Sequence, residues 1–211
     1  MTTKKHTATL VATMKTTLLP TPTVNLVQAE CDAFDLEDQL IEEALRLLWA
    51  QFPHNSETSH VLLKVVVLNT LYSTRIRDID VEPLARHIVT LNIDPLLDQG
   101  ELAAVERIYN CPPLKMYYSF ATKFCSWHNP TAYPIYDHNA DECLWSYKKQ
   151  DRFANFNRQD LGYYEKFVAT VTAFRNHYGL SSFNFRQLDK FLVRSGGEIL
   201  KKASLPQGVE S

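Results

Sequence analysis

Apolar side chains recur at helical spacing along most of the chain, and this periodicity limits the fold more than any other feature of the sequence. Between residues 31 and 52, one helical stripe carries Phe34, Leu36, Leu40, Ile41, Ala44, Leu45, Leu48 and Trp49. The segment 59–74 is apolar nearly all round, as a central helix wrapped by others would be. No run of alternating β-branched residues is long enough for a central strand. We therefore expect an all-α fold of seven to eight helices.

The 211 residues suit a single domain with one core. We expect that domain over residues 28–202, between a flexible arm (1–27) and a flexible tail (203–211). The longest apolar run, residues 65–68, is far shorter than the roughly 20 apolar residues of a membrane span. The four cysteines are widely spaced, which favours reduced, buried thiols and a cytoplasmic protein. No metal-binding or nucleotide-binding loop motif is present in the sequence, so we expect no metal and no cofactor. We also expect a monomer.

Charge is distributed unevenly along the chain although the net charge is only −2. Residues 30–110 contain fifteen acidic and six basic side chains, whereas residues 148–202 contain five acidic and eleven basic ones. Such asymmetry is a hint of a polyanionic partner. The ordinary alternative is that both sets of charges lie on solvated helix faces, and the sequence leaves the two interpretations open.

One stretch, SWHNPTAYPIYDHNADECLW (residues 126–145), concentrates groups that stack, hydrogen-bond or titrate. Its two prolines predict an extended segment that ends at Asp137, directly before a helix. A carboxylate at a helix N-terminus is favoured in its ionised form, and it also commonly serves only as a helix cap. An ionised, rigidly held carboxylate can stabilise the oxocarbenium-like charge that develops when a glycosidic bond breaks. The nearby aromatic side chains offer flat surfaces for an unstacked base.

The order helix, extended PIYDH, helix resembles the core of the helix-hairpin-helix DNA glycosylases, the HhH-GPD superfamily. The matching residues are Pro134 to His138, and Asp137 falls on the catalytic aspartate of that family. Upstream, LLKVVVLNTLYSTRIRDIDVEPLARHI is similar to the helix and turn that reach into DNA beside the extruded base. The resemblance covers residues 61–147.

The chain departs from the family pattern in two places. The family's hairpin carries a G-x-G turn that brings backbone amides to a phosphate, whereas this chain has the glycine-free NCPPLKMYYSFATK. At the position of the lysine that some members use for a Schiff base, an ungapped count gives Ser119, and Lys123 follows one turn later. The resemblance therefore favours hydrolysis by water. The ordinary alternative for Lys123 is a solvated helix lysine.

By this resemblance we expect a monofunctional glycosylase site that acts on double-stranded DNA, with Asp137 and Lys123 as the catalytic residues. The residues expected to bind the base are Tyr118, Trp127, His128, Asn129, Tyr133, Tyr136 and His138. The residues expected to bind DNA are Asn69, Tyr72, Ser73, Lys115, Lys148, Lys149, Arg152 and Arg186.

The expected substrate is DNA with a damaged or modified base, and a modified base of phage DNA would make the protein an antiviral enzyme. Two alternatives from other classes remain at this stage. One is a non-catalytic helical module that binds DNA or protein on a glycosylase-like frame, and the other is a protein-interaction domain that uses the acidic half of the chain.

Overall fold

The computed structural model describes residues 18–204, which form ten α-helices, one 3₁₀ helix and no strand. The α-helices are α1 (Val24–Glu37), α2 (Gln39–Gln51), α3 (Thr58–Leu71), α4 (Asp78–Thr90), α5 (Asp94–Gln99), α6 (Ala103–Tyr109), α7 (Tyr118–His128), α8 (His138–Asp151), α9 (Tyr164–His177) and α10 (Phe185–Ser204), and the 3₁₀ helix is Arg158–Gly162. The expected all-α class is confirmed for the described residues. The helix count exceeds the seven or eight that periodicity predicted.

The long helix predicted over residues 31–52 is two helices. The helix is interrupted at Asp38 (φ −107°, ψ 15°), which ends α1 and precedes α2. The apolar stripe runs through the break, so periodicity alone did not reveal it. The break turns two predicted stripe residues outward, and Leu36 and Leu40 are 79% and 80% exposed.

The helical unit begins earlier than expected, which corrects part of the predicted arm. Thr23 caps α1 by accepting a hydrogen bond from the Leu26 amide (3.2 Å), and Val27 is fully buried. Further upstream, the Gln150 side chain binds both the amide and the carbonyl of Leu19, at 2.7 and 3.1 Å. Residues 1–17 and 205–211 of the expected arm and tail lie outside the described residues.

The helices pack in two groups that share one hydrophobic cluster. In one group α4 packs on α3, and α6 packs on α7, while in the other α1 and α8 pack on α10. Helix α2 contacts both groups, because it packs on α1, α3 and α7. The segment 129–137 crosses from α7 to α8, and it therefore carries Asp137 to the boundary between the groups. All four cysteines are free and buried.

None of the helices in the described part of the chain is long and apolar enough to cross a membrane.

Candidate active site

Asp137 is fixed as the N-cap of α8. Its backbone is extended (φ −144°, ψ 155°), and its Oδ1 accepts a hydrogen bond from the Asn139 amide at 2.8 Å. The segment that leads to it is held at two points: the Tyr164 hydroxyl donates to the Pro134 carbonyl (3.0 Å), and the Tyr136 amide donates to Thr122 Oγ1 (3.1 Å). The Asp137 side chain is 29% exposed. The carboxylate is therefore both a helix cap and accessible from solvent.

Lys123 lies beneath this carboxylate. Its side chain is only 4% exposed, and its Nζ lies 3.3 Å from Asp137 Oδ2 and 2.8 Å from Ser119 Oγ. Side chains on an α-helix lean toward its N-terminus, so the Lys123 amine reaches back one turn to the level of Ser119. The interpretation of Lys123 as a solvated helix lysine is wrong. Its amine lies beside Ser119, the residue that the ungapped count gave for the Schiff-base lysine of the resembled superfamily.

Tyr72 and Arg186 form the wall behind the Lys123–Asp137 pair rather than a DNA-contacting surface. The Lys123 Nζ lies 5.8 Å from the centre of the Tyr72 ring. The Tyr72 hydroxyl donates to Glu42 at 2.9 Å and accepts from Arg186 at 2.6 Å, and Arg186 also pairs with Glu42. The Arg186 side chain is 12% exposed. The polar atoms of Tyr72 and Arg186 are thus bonded inside the protein, and the expected DNA contacts by these two residues stay predictions.

Asp189 is a buried acid that the sequence did not single out. Arg186 Nη1 lies 3.4 Å from its Oδ2, whereas its buried Oδ1 has no hydrogen-bond partner among the described residues. Burial raises the pKa of Asp189 to about 7, and the positive charges of Arg186 and Lys123 oppose this rise. The only signal in the sequence was weak: Asp189 lies one turn after Arg186 on the same face of α10.

The three tyrosines expected to contact a base pack inside the protein. Tyr133 is fully buried, and its hydroxyl donates to the carbonyls of Leu96 (2.9 Å) and Glu101 (3.0 Å). Tyr118 and Tyr136 face each other with ring centres 4.7 Å apart, and their hydroxyls donate to Leu161 O and Asp141 Oδ2. Packing inside the protein occupies these three rings, so they do not form an open stacking surface.

His128 and Asn129 fasten loops to the end of α7. His128 Nε2 lies 3.2 Å from Asn55 Nδ2, and Asn129 Nδ2 donates to the Leu97 carbonyl at 3.2 Å. Burial, with the nearby charge of Lys64, lowers the pKa of His128 well below its ordinary value. Both side chains are thus bound within the protein, and the predicted base contacts by His128 and Asn129 stay predictions.

Trp127 and His138 are the base-contact candidates that remain near the pair. Trp127 is half-buried, with Arg186 stacked 5.0 Å from its ring centre and Trp49 5.8 Å away on another side. Its indole N–H has no hydrogen-bond partner among the described residues. His138 directly follows Asp137 and is exposed.

The turn between α3 and α4 is held by the Asn69 side chain, and the expected DNA contact by this residue stays a prediction. Asn69 Oδ1 accepts from the Ile76 amide (2.9 Å) and the Thr74 hydroxyl (3.0 Å), and its Nδ2 donates to the Ile76 carbonyl. The residues that this turn presents to solvent are Ser73, Arg75 and Arg77, and the first two are in the left-handed region (φ 49° and 60°). Arg75 is a candidate DNA contact that the sequence analysis missed.

The loop between α6 and α7 is joined to this turn. The Tyr117 hydroxyl donates to the Asp80 carboxylate and accepts from the Arg77 amide at 3.3 Å. Arg77 Nε in turn lies 2.6 Å from Asp80. Lys115 in the same loop is exposed, as its predicted DNA contact requires. Exposed cations of two loops therefore lie on elements that are tied together near the Lys123–Asp137 pair.

Basic side chains of α10 form ion pairs with acidic side chains of α1. Arg194 of α10 pairs with Glu30 (2.7 Å) and Glu37 of α1, and Lys190 pairs with Asp35. The acidic first helices and the basic last helix are thus partners of each other, which neither of the two earlier interpretations anticipated.

A separate basic surface lies at the far end of α8. Lys149 and Arg152 are exposed, and Lys148 Nζ lies 4.7 Å from the centre of the Trp145 ring. These three cations line a cavity of about 420 Å³ with Asn155. Their predicted DNA contacts stay predictions.

Comparison with known proteins gives a family and no activity. The sequence profile of the HI_0787_N family, described as an N-terminal domain, matches residues 26–132, which include Lys123 and end before Asp137. An uncharacterized protein of Haemophilus influenzae (strain ATCC 51907 / DSM 11121 / KW20 / Rd) is 35% identical over 147 residues, which cover 68% of this chain and 69% of the relative. No solved structure matches the chain. On these two matches, the chain belongs to the HI_0787_N family.

Proposed function

We propose that this protein is a DNA glycosylase of the helix-hairpin-helix type, which extrudes a damaged or modified base and breaks its N-glycosidic bond. The observation that carries the proposal is the pair formed by Asp137 and Lys123, at the place where the sequence resembles that superfamily. A partly exposed carboxylate at a helix N-terminus, with a buried amine directly behind it, suits chemistry on a sugar that becomes positively charged.

In this mechanism Asp137 stabilises the oxocarbenium-like transition state or orients the water that attacks C1′. Its two oxygens are held separately, since Oδ1 binds the Asn139 amide and Oδ2 faces Lys123. Such fixed placement favours catalysis, because little reorganisation is needed when charge develops.

Lys123 supports two outcomes, which one experiment separates. With water as the nucleophile, the amine positions the Asp137 carboxylate through the 3.3 Å ion pair, and the product is a free abasic site. If the neutral amine itself attacks C1′, the base leaves as the glycosidic bond breaks, the C1′–O4′ bond then opens to give a Schiff base, and borohydride reduces this to a covalent protein–DNA adduct. We propose the first route, because the amine is already bound by both Ser119 and Asp137.

The proposed DNA surface surrounds this pair. Exposed Ser73, Arg75, Lys115 and His138 come from the α3–α4 turn, the α6–α7 loop and the start of α8. Cations that contact phosphates release counterions, so binding to DNA should weaken steeply as salt increases.

The test uses plasmid and phage DNAs that carry different modified bases. Each is incubated with wild-type protein, Asp137→Asn or Glu165→Gln, and abasic sites are counted as alkali-induced nicks. Glu165 is a matched control, because it is an exposed carboxylate in the first turn of α9. We expect nicks in at least one DNA with wild type and Glu165→Gln, and a loss of about 10²–10³-fold with Asp137→Asn. The proposal fails if no DNA acquires abasic sites, or if folded Asp137→Asn is as active as wild type. Binding to DNA without any excision would favour the non-catalytic module.

A further inference from the structure

A cavity of about 290 Å³ opens beside the candidate active site, between α1, the start of α8 and the second half of α10. The residues that line it include Phe34, Asp38, Asn139, Val193, Arg194 and Gly197. The volume lies at the small end of ligand pockets, about 300 Å³, which suits one ring system.

Asn139, which lines the cavity, lies two residues after the proposed catalytic Asp137. Asn139, whose side chain borders the cavity, donates its backbone amide to Asp137 Oδ1 at 2.8 Å. The link between the cavity and the carboxylate is therefore the Asn139 residue itself, which borders the one and binds the other.

Two adjacent glycines of α10 face the first turn of α8, and they have different roles. A Cβ at Gly196 would lie 1.9 Å from the Asn139 carbonyl oxygen, so only glycine lets α10 approach the first turn of α8 so closely. A Cβ at Gly197 would instead meet only Asn139 Nδ2, at 3.4 Å. Helix packing thus does not require glycine at position 197. Because Gly197 has no side chain, the cavity extends up to the backbone of α10.

Two polar groups of the cavity, the Asp38 carboxylate and the Asn139 side-chain amide, are available to a ligand. The half-buried Asp38 carboxylate caps no backbone amide of α2, and no hydrogen bond of its side chain, or of the Asn139 side-chain amide, occurs within the described residues. Burial and the neighbouring charges of Glu42 and Glu37 raise the pKa of Asp38. An N–H donor on a ligand would relieve the carboxylate, while a ring nitrogen or carbonyl would accept from Asn139.

We infer that this cavity is the pocket for the extruded base, and that it selects bases carrying an exocyclic amino group, which would donate to Asp38. The inference rests on the proposed function and adds the class of substrate. Phe34 and Val193 form the apolar part of the wall, and Arg194 is held by Glu30 and Glu37 at its rim.

Free nucleosides test the pocket without requiring excision. The ¹H–¹⁵N spectrum of the full chain is titrated with deoxyadenosine, deoxycytidine and thymidine. We expect the Asn139 side-chain amide and the Gly197 amide to shift with the first two. Thymidine has no exocyclic amino group, so it should bind at least about fivefold more weakly.

Gly197→Leu should fill the cavity and abolish the shifts, while a leucine is a better helix former than glycine and keeps α10 intact. Gly162→Leu is the matched control, because a Cβ there meets nothing within 4 Å and Gly162 does not border the cavity. Asp38→Asn should remove the preference for amino-bearing nucleosides.

The inference is overturned if no nucleoside shifts these signals at about 10 mM, if thymidine binds equally well, or if Gly197→Leu binds like wild type. Failure of the glycosylase proposal has a different signature, since wild-type protein would then produce no abasic sites whatever the nucleosides do.

Discussion

Two lysines, Lys64 and Lys123, are buried among the described residues, and they differ in what they face. Lys64 donates to Asn55 Oδ1 at 2.9 Å and lies 3.4 Å from both the His54 carbonyl and His128 Nε2. Its ammonium also stacks on Trp49, 5.3 Å from the ring centre. Lys64 therefore ends in a sealed set of neutral acceptors.

Lys123 instead faces a carboxylate that solvent can reach. Its partner Asp137 is 29% exposed, and the cavity bordered by Asn139 begins two residues further along the chain. Burial alone thus does not distinguish a structural lysine from a functional one. The distinction comes from whether the partner of the buried amine is open to a ligand.

The largest difference should appear in excision activity. Lys123→Gln removes the charge that positions Asp137, and we expect excision to fall by about 10²-fold or more. Lys64→Gln lies outside the site and should change excision by less than about threefold in the folded fraction. Both rates are measured on the DNA that wild type nicks best. Equal losses of excision activity in the two variants would contradict the assignment of different roles to the two lysines.

Stability should show the opposite order. Lys64→Ala leaves a cavity and unpaired acceptors on Asn55 and His54, so we expect a loss of about 3 kcal/mol. Lys123→Ala should lose about half as much by the same reasoning, because the Asp137 carboxylate can be hydrated once the amine is gone. Urea unfolding of both variants at pH 7 measures this. A larger loss for Lys123→Ala would contradict the assignment of Lys64 as the structural lysine.

The pH dependence of stability sharpens the contrast for Lys64. Burial lowers its pKa to about 8 from an ordinary value of 10.5, and Asp94 opposes this shift. Between these values the unfolded chain holds the proton more strongly than the folded protein, so this group's contribution to stability rises with pH. From pH 8 to 9.5 the stability of wild type relative to Lys64→Met should rise by about 2 kcal/mol. A flat or falling difference in urea unfolding would show that Lys64 is not desolvated.

The smallest expected effects are on DNA affinity, and they concern exposed cations of the proposed DNA surface and of the far end of α8. Lys115→Ala and Arg75→Ala, beside the pair, should each lower the slope of log affinity against log salt by about 1. Lys149→Ala tests whether the basic surface at the far end of α8 also contacts the duplex. Fluorescence anisotropy with a short duplex, at several salt concentrations, gives the slopes. Unchanged slopes for both Lys115→Ala and Arg75→Ala would move the DNA surface elsewhere.

The local part of the site was predictable from the sequence, because it depends on neighbours in the chain. Two prolines and the following helix place Asp137 at a cap, and Lys123 lies on the preceding helix. The all-helical class followed from periodicity for the same reason. The resemblance to a glycosylase added the suggestion of catalysis, which stays a prediction.

The surroundings of the pair were not predictable, because they depend on contacts between distant parts of the chain. Glu42 and Arg186, which hold Tyr72, are 144 residues apart. A count of charges likewise could not tell that Arg194 pairs with Glu30. The internal packing of Tyr118, Tyr133 and Tyr136 was not predictable either, since composition does not separate rings that pack together from rings that are open to a ligand.

The central claim, that Asp137 stabilises positive charge at an extruded sugar, is tested most directly with two abasic-site analogues. One duplex carries a pyrrolidine, which is cationic at neutral pH, and the other carries a neutral tetrahydrofuran of the same shape. We predict that wild type binds the pyrrolidine duplex at least about tenfold more tightly, and that Asp137→Asn removes this preference. Equal affinity for the two duplexes in wild type, or a preference that survives in Asp137→Asn, would contradict the account.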